Sequence, residues 1–387
     1  MTATCRLSWL TPERKFAYGV MLFGAELVVL LGLALASHGV FGPMPPFTTD
    51  YASFFAAGRL ANDGLGPAVY DWARHYAAEQ QAVGFGGFPH LYFFYPPVFL
   101  LICAPLAHLP YLVGFYTFET ASFLLYYFAL RRIYPTPAFS LALLAFPAAL
   151  LCYAVGQNAL LTAGILALAT AEIDRRPFVA GALFGLLCYK PHFALLVPVA
   201  LLAGRHFRVL VAAAASAGVL ILLSALIFGL ATWQAFFAQV AAAQSVFETG
   251  RVGYQGTVSL FGAARILGGS IWEAYTFQVV SALSAGITVA FVWAARCSLA
   301  DRATILVSGT LFAMPVVLFY DMTALAVVLA WLCRSKAFRE RGCLDKILIS
   351  IVYIGPALSF VASSSLHLPI GAMAVLSSFL ISVRRLS

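Results

Sequence analysis

The stretch FVAGALFGLLCYKPHFALLVPVALLAGRHFR, residues 178–208, decides how this chain is organised. As one membrane span it would place Lys190 in mid-membrane, where a charge costs about 2.5–3.5 kcal/mol. It would also carry Arg205 and Arg208 to the outer face, against the positive-inside rule. Two short helices interrupted at YKPH avoid both penalties. The sequence therefore predicts a broken pair, with Lys190 and His192 at an external turn.

The composition of the whole chain is that of an integral membrane protein. Its 387 residues are 62% hydrophobic and only 10% charged, whereas soluble domains are about 25% charged. The apolar runs are long and lack the alternation of a membrane barrel, so the spans are expected to be helices. The sequence predicts an all-α, polytopic protein in which residues 1–387 form a single integral membrane domain.

Lys and Arg residues give the chain a net charge of +8. They cluster in short loops, which the positive-inside rule places in the cytoplasm, so no nucleic-acid partner is expected. With about 20 residues per span, the pattern predicts about twelve crossings and two cytoplasmic termini. The first span, about residues 16–37, is expected to be retained. Residues 96–108, interrupted by Pro105, either form a re-entrant half-helix or cross the membrane.

Two long segments are predicted outside the membrane. The first, residues 39–93, contains two amphipathic helices near residues 51–61 and 71–83, and the second covers residues 231–270. Several polar side chains should emerge on this external face: Asp50, Gln157, Lys190, His192, Arg251, Tyr254, Asp321 and His367. This convergence predicts a functional site on the external side.

Each of these residues also has a purely structural interpretation. Asp50 is suited to cap the helix that follows it, Lys190 and His192 to snorkel to the interface, and Gln157 to complete a turn. Asp321 is harder to explain in this way, because a carboxylate that interrupts an apolar run is costly and is by default a functional hypothesis. No role is assigned to Glu26 or Glu119, which lie within predicted spans.

Taken together, the polar residues suit one reaction. A carboxylate can deprotonate a hydroxyl as general base, and nearby cationic side chains can bind a phosphate and stabilise its departure. Aromatic and amide side chains suit sugar rings and their hydroxyl groups. This chemistry is sugar transfer from a lipid phosphate, and it requires no glycine-rich nucleotide loop, of which none is visible.

The motifs resemble those of a known enzyme family. The segment TTDYASFFAAGRLANDGLGPAVYD, residues 48–71, resembles the first-loop signature of the polytopic glycosyltransferases of family 87. FFYPP, GQNALL, YKPHFALLVP and FYD follow in the order expected for that family. The resemblance covers nearly the whole chain. It implies a GT-C fold, an inverting mechanism and a polyprenyl-phosphate-linked sugar donor, commonly of mannose or arabinose.

The resemblance also implies roles for individual residues. Asp50 matches the first-loop Asp of the family and is expected to be the general base. Lys190 matches the lysine of the lysine-proline motif and is expected to contact the donor phosphate, with His192 and Arg251 as helpers. Tyr51 occupies the place of the second carboxylate of other GT-C enzymes, so neither a metal nor another cofactor is predicted. The predicted substrate-binding residues are Tyr51, Tyr95, Gln157, Asn158, Tyr254, Gln255, Asp321 and His367.

The predicted function is therefore transfer of a sugar, a mannose-like hexose being favoured, to a lipid or glycan acceptor. The expected location is the cytoplasmic (inner) membrane, surrounded by membrane lipids, with the active site facing the periplasm. The alternative is a polytopic transporter or lipid flippase, since interrupted short helices also mark midplane transport sites. A transporter would hold Lys190 and Asp321 near the midplane, whereas an enzyme would hold them in a cavity closed to the cytoplasm.

Overall fold

The computed structural model describes residues 12–37, 49–84, 90–136, 142–251, 253–295, 297–335, 342–384 and 386. In these residues the regular structure is helical, and the β-type pairing is a single bridge between Thr257 and Leu318. The predicted all-α class is confirmed. The helices are α1 (Pro12–Ser37), α2 (Thr49–Asn62), α3 (Trp72–Val83), α4 (Leu100–Leu106), α5 (Tyr111–Ile133), α6 (Pro147–Val155), α7 (Ala159–Glu172), α8 (Pro177–Leu186), α9 (Val197–Ala203), α10 (Phe207–Phe228), α11 (Leu230–Glu248), α12 (Leu260–Ile266), α13 (Ile271–Ala294), α14 (Leu299–Ala313), α15 (Leu325–Arg334), α16 (Cys343–Leu366) and α17 (Ile370–Arg384).

Several helices are suited to cross a membrane. Within the described residues, α10, α13 and α16 are each long and apolar enough to do so. A fourth candidate is the pair formed by Pro97–Leu106 and α5, which is bent by 120° at a short break. This bend falls in the segment for which the sequence left re-entry and crossing open. The other apolar helices are shorter, so the predicted total of about twelve crossings stays a prediction.

Both predicted interruptions of apolar runs are confirmed. Between α8 and α9 the chain forms two 3₁₀ turns, Leu187–Tyr189 and Pro191–Ala194, with Lys190 at their junction. Pro191 has no backbone N–H, so it suits the first position of the second turn. Between α14 and α15 the chain forms the 3₁₀ turn Phe319–Ala324, which contains Asp321. The helices therefore end where the sequence places charged residues within apolar runs.

The first predicted external segment contains the two expected helices. Residues 39–48 and 85–89 of this segment lie outside the described residues. Helix α3 begins after Asp71, whose side chain accepts hydrogen bonds from the N–H groups of Ala73 and Arg74 at 3.0 and 3.2 Å. Asp71 is thus the N-cap of this helix.

Helix α2 is held by an aromatic cluster. The ring of Tyr51 lies 5.6 Å from that of Phe115, and the ring of Phe54 lies 4.9 Å from that of Phe99, both in edge-to-face geometry. Such pairs contribute about 0.5–1.5 kcal/mol beyond the burial of their surface. Because the partner rings belong to α5 and to the turn before α4, the cluster fixes the first turn of α2, which carries Asp50.

The charged turns that the sequence assigns to the cytoplasm contact one another. Arg302, at the start of α14, pairs with Asp174 at 2.9 Å and lies 2.8 Å from the Nε2 atom of His206. Arg132, at the end of α5, pairs with Glu172 at 3.0 Å. Four connections that are remote in sequence therefore share one end of the helical assembly.

Candidate active site

A cavity of about 600 Å³ lies between the first turn of α2, residues 90–96 and the two interrupted helix pairs. Eight of the residues predicted to form the site line it: Asp50, Tyr95, Gln157, Lys190, His192, Arg251, Gln255 and Asp321. The expectation that one cavity contains both Asp50 and Lys190 is met. The catalytic and binding roles of these residues remain predictions.

Lys190 forms a buried ion pair on one wall of the cavity. Its Nζ atom lies 2.6 Å from Oδ1 of Asp321 and 3.1 Å from Oδ1 of Asn158. Lys190 and Asp321 are each only 3% exposed. The ammonium also lies 4.9 Å from the ring centre of Phe193 and 5.6 Å from that of Tyr320. An ammonium has three donors, and these contacts use two, so one remains for a bound ligand.

The side chain of Asp321 is held in position by a hydrogen bond within its own 3₁₀ turn. Its second carboxylate oxygen accepts a hydrogen bond from the N–H of Leu318 at 3.1 Å. The carboxylate therefore closes the 3₁₀ turn of one interrupted helix pair while it neutralises the lysine of the other. Buried charges are usually paired in this way, because an isolated buried ion is costly.

Asp50 also lines the cavity and is held by Gln157. The amide nitrogen of Gln157 donates to Oδ2 of Asp50 at 3.2 Å. The orientation of this amide is fixed, because its oxygen accepts from the hydroxyl of Tyr95 at 3.0 Å and from the N–H of Asn158 at 3.2 Å. Among the described residues, no donor contacts Oδ1 of Asp50. One oxygen of this carboxylate is thus available to a ligand.

The environment of Asp50 favours proton exchange. Burial raises the pKa of its carboxyl to about 6, the hydrogen bond from Gln157 lowers it, and the charge of Glu79 raises it. A carboxylate with this pKa is mostly ionised at neutral pH and is a stronger base than an exposed one. These are the properties required of a general base near neutral pH.

Four of the predicted residues do not line the cavity. Tyr51 is fully buried in the aromatic cluster under α2, so its side chain serves packing, which departs from the predicted substrate role. Asn158 is also fully buried, and it contacts the site through its side chain to Lys190 and through its N–H to Gln157. Tyr254 lines a small neighbouring pocket and donates to the carbonyl of Glu248. His367 is exposed in the left-handed turn that ends α16.

Other residues of the cavity were not singled out from the sequence. Tyr189 and Tyr320 lie beside Lys190 and Asp321, and adjacency to the two charged breaks was the signal that could have identified them. An apolar part of the wall comes from helices and turns that are distant in sequence, for which no local signal exists: Phe236, Phe247, Val316, Leu318, Phe319 and Phe360. Tyr92 and Phe94 also line the cavity.

A second polar cluster adjoins the cavity, formed by His75, Glu79 and His90. The Nδ1 atom of His75 lies 3.2 Å from Oε1 of Glu79 and 3.4 Å from Nε2 of His90. His75 and Glu79 are buried, and His90 lines the cavity. The four-residue spacing of His75 and Glu79, on one face of a helix, was the sequence signal for this cluster.

The fold and the cavity define a helical membrane protein with a cavity lined by carboxylate and cationic side chains. The family model of glycosyltransferase family 87 matches residues 93–320, and the chain belongs to this family. Comparison with curated proteins and with solved structures gives no match. The predicted family is thus confirmed, and membership implies a glycosyltransferase. The matched region includes Lys190 and ends at Tyr320, the residue before Asp321, whereas Asp50 precedes it.

Proposed function

We propose that this protein is an inverting glycosyltransferase that moves a sugar from a polyprenyl-phosphate donor to a lipid or glycan acceptor, with a mannose-like hexose as the favoured sugar. The observation that carries the proposal is one cavity in which the free oxygen of Asp50 faces a buried Lys190–Asp321 pair and Arg251. Family membership supports sugar transfer over the transporter or flippase alternative.

Asp50 acts as the general base in this proposal. Its free Oδ1 accepts the proton of the acceptor hydroxyl while the acceptor oxygen attacks the anomeric carbon of the sugar. Attack occurs on the face opposite to the phosphate, so the configuration inverts. The bond between the anomeric carbon and the phosphate oxygen breaks, and its electron pair leaves with the polyprenyl phosphate. Gln157 holds the carboxylate in place through Oδ2.

Lys190 and Arg251 bind the departing phosphate. Asp321 already neutralises the charge of Lys190. The main contribution of the lysine to phosphate binding is therefore a hydrogen bond from its third N–H. Arg251 is exposed, lines the cavity and has no ion-pair partner among the described residues. It therefore supplies the uncompensated positive charge that a phosphate requires. His192, half-buried on the same wall, is placed to contribute a further hydrogen bond.

The remaining walls suit the other parts of the substrates. Tyr95, Gln157 and Gln255 offer hydroxyl and amide groups to the sugar. The apolar part of the wall, which includes Phe247 and Phe360, suits a polyprenyl chain.

The proposed setting is a GT-C fold in the inner membrane with about twelve crossings. Both termini are cytoplasmic and the cavity opens to the periplasm. The clustering of the basic turns around Arg302, away from the residues that line the cavity, supports this orientation.

The test is a transfer assay with the purified full-length protein in detergent. Radiolabelled polyprenyl-phosphate mannose and polyprenyl-phosphate arabinose are compared with the corresponding nucleotide sugars, using membrane lipid extracts as acceptors. We expect label transfer from a lipid-phosphate donor alone, and its loss in Asp50→Asn. Direct use of a nucleotide sugar, or wild-type turnover in Asp50→Asn, contradicts the proposal.

A further inference from the structure

Three side chains of types that bind metals meet beside the active-site cavity. His75 and Glu79 lie one turn apart on α3, and His90 comes from the segment that leads to Tyr95. One ligand atom from each lies within 4.8 Å of the others. Two histidines and one glutamate form a known zinc ligand set.

The distances between these atoms fit coordination of a single ion. Zinc binds nitrogen and oxygen ligands at about 2.0–2.2 Å in tetrahedral geometry, which places neighbouring ligand atoms about 3.3–3.6 Å apart by the same geometry. The Nδ1 atom of His75 lies 3.2 Å from Oε1 of Glu79 and 3.4 Å from Nε2 of His90. Two of the three separations are thus close to this spacing, and all three are within 4.8 Å.

The outer contacts of the cluster fit metal ligands too. The Nε2 atom of His75 lies 3.2 Å from the backbone carbonyl of Ser53, which can only accept, so Nε2 carries the proton. In the neutral ring this leaves the lone pair of Nδ1 on the side of Glu79. Oε2 of Glu79 accepts from the N–H of Leu91 at 3.2 Å. Metal-bound histidines and carboxylates are oriented by such outer hydrogen bonds.

One carboxylate oxygen of the cluster receives no hydrogen bond from the described residues. Oε1 of Glu79 is fully buried and receives no hydrogen bond in the described residues, although Nδ1 of His75 is close to it. Leaving a buried polar atom without a partner costs about 1–3 kcal/mol, and more for a charged group. A cation between the three ligand atoms would satisfy this oxygen.

We propose that His75 Nδ1, Glu79 Oε1 and His90 Nε2 bind one Zn²⁺ ion, with a fourth position directed to the cavity that His90 lines. An open fourth position of this kind accepts a water or a substrate oxygen. The ion joins α3 to the segment that carries Tyr95, and through His75 to Ser53 of α2. It thereby steadies the two elements that position Asp50. This proposal departs from the sequence-based prediction of no metal, which rested on Tyr51 in the place of a second carboxylate.

The test measures metal binding, so its outcome does not depend on the proposed sugar transfer. The purified full-length protein is stripped with a chelator, supplied with Zn²⁺, dialysed and assayed for metal by mass spectrometry. Its affinity is measured by competition with a coloured zinc chelator. We expect one zinc per chain, a melting temperature that rises with zinc concentration, and visible absorption typical of tetrahedral coordination when Co²⁺ replaces Zn²⁺.

Two variants and a matched control locate the site. Glu79→Gln keeps the shape of the side chain, and His90→Asn changes a half-buried residue that is less needed for folding. Each is expected to weaken zinc binding by roughly tenfold or more, since loss of even an outer partner costs about 10–100-fold. His108→Asn, at an exposed histidine, should bind zinc as the wild type does.

Two results overturn the proposal. The first is a folded wild-type protein that binds no zinc at micromolar concentration, which would identify the cluster as a protonated histidine–glutamate pair. The second is unchanged zinc affinity in a folded His90→Asn variant, which would place any bound zinc elsewhere.

Discussion

The ammonium of Lys190 lies 2.6 Å from the carboxylate of Asp321, although 131 residues separate the two along the chain. Each residue stands at the break of an interrupted apolar helix pair, and each is buried. A buried ion pair gains little over apolar packing, but loss of one partner leaves an unpaired charge. The two helix breaks are therefore coupled, because the charged residue at each break neutralises the charged residue at the other.

The coupling predicts how substitutions of the pair combine. Lys190→Met should destabilise the protein by about 3–5 kcal/mol, because Asp321 stays buried without its partner. Adding Asp321→Asn removes the unpaired charge and retains an oxygen for the N–H of Leu318, so most of the stability should return. Thermal unfolding of both variants checks this. Donor binding should stay weak in the double variant, and wild-type donor affinity there would exclude Lys190 from the phosphate site.

The assigned base predicts a selective loss of turnover in Asp50→Asn. The amide keeps the size of the carboxylate but cannot accept the proton, so transfer should fall by roughly 10²–10⁴-fold. Binding of the lipid-phosphate donor should persist, because the proposed phosphate contacts come from Lys190 and Arg251 and not from Asp50. Steady-state kinetics and donor binding measure the two effects. Asp63→Asn, at an exposed turn after α2, is the matched control and should retain full activity.

The raised pKa of Asp50 predicts the acid side of the pH profile. The ionised form is active, so kcat/KM should fall as the pH decreases through about 6. Acid unfolding driven by Asp50 is not expected: its pKa is higher in the folded chain than in the unfolded one, so protonation through this pH range favours folding. A circular dichroism signal that is unchanged while activity falls would support this. An activity that is flat to pH values well below 6 would contradict the assignment.

A substitution of Gln157 tests whether the carboxyl of Asp50 sets the acid limb of the pH profile. Its hydrogen bond stabilises the charged form of Asp50 and lowers the pKa of that carboxyl. Gln157→Leu should therefore move the acid limb of the profile to higher pH, besides lowering the rate. Gln255→Leu removes an amide that lines the cavity without contacting Asp50, so the position of its acid limb should stay that of the wild type.

Charge placement explains why much of this architecture was predictable. A lysine or an aspartate inside an apolar run costs too much at the centre of a span, and the least costly solution is a break at that point. The cost of a charge within a span thus predicts the turns at Lys190 and Asp321 and their common cavity with Asp50. The basic turns followed from the same electrostatic rule, and the structure brings Asp174 and Arg302 together.

Charge placement does not predict how deeply an individual uncharged side chain is buried in the protein. Tyr51 was expected to bind substrate, but the close approach of α2 to α5 buries it. An aromatic residue has the same chemical character in a core, at an interface and in a binding site, so sequence cannot separate these cases. His90 lies outside α3, so its contact with His75 is not revealed by spacing along that helix.

A glycine at a helix contact gives a prediction for the packing of α8, the helix that precedes Lys190, against α10. A methyl group on Gly181 of α8 would lie 2.3 Å from the carbonyl oxygen of Val209 at the start of α10. Small residues allow membrane helices to approach this closely, so Gly181→Ala should force α8 and α10 apart at a cost of about 1–3 kcal/mol. Gly218→Ala is the matched control, because no heavy atom lies within 4 Å of its added methyl group. That variant should be neutral or gain up to about 1 kcal/mol in helix propensity. Melting temperatures in one detergent compare the two, and equal shifts would mean that the contact at Gly181 does not set the distance between these helices.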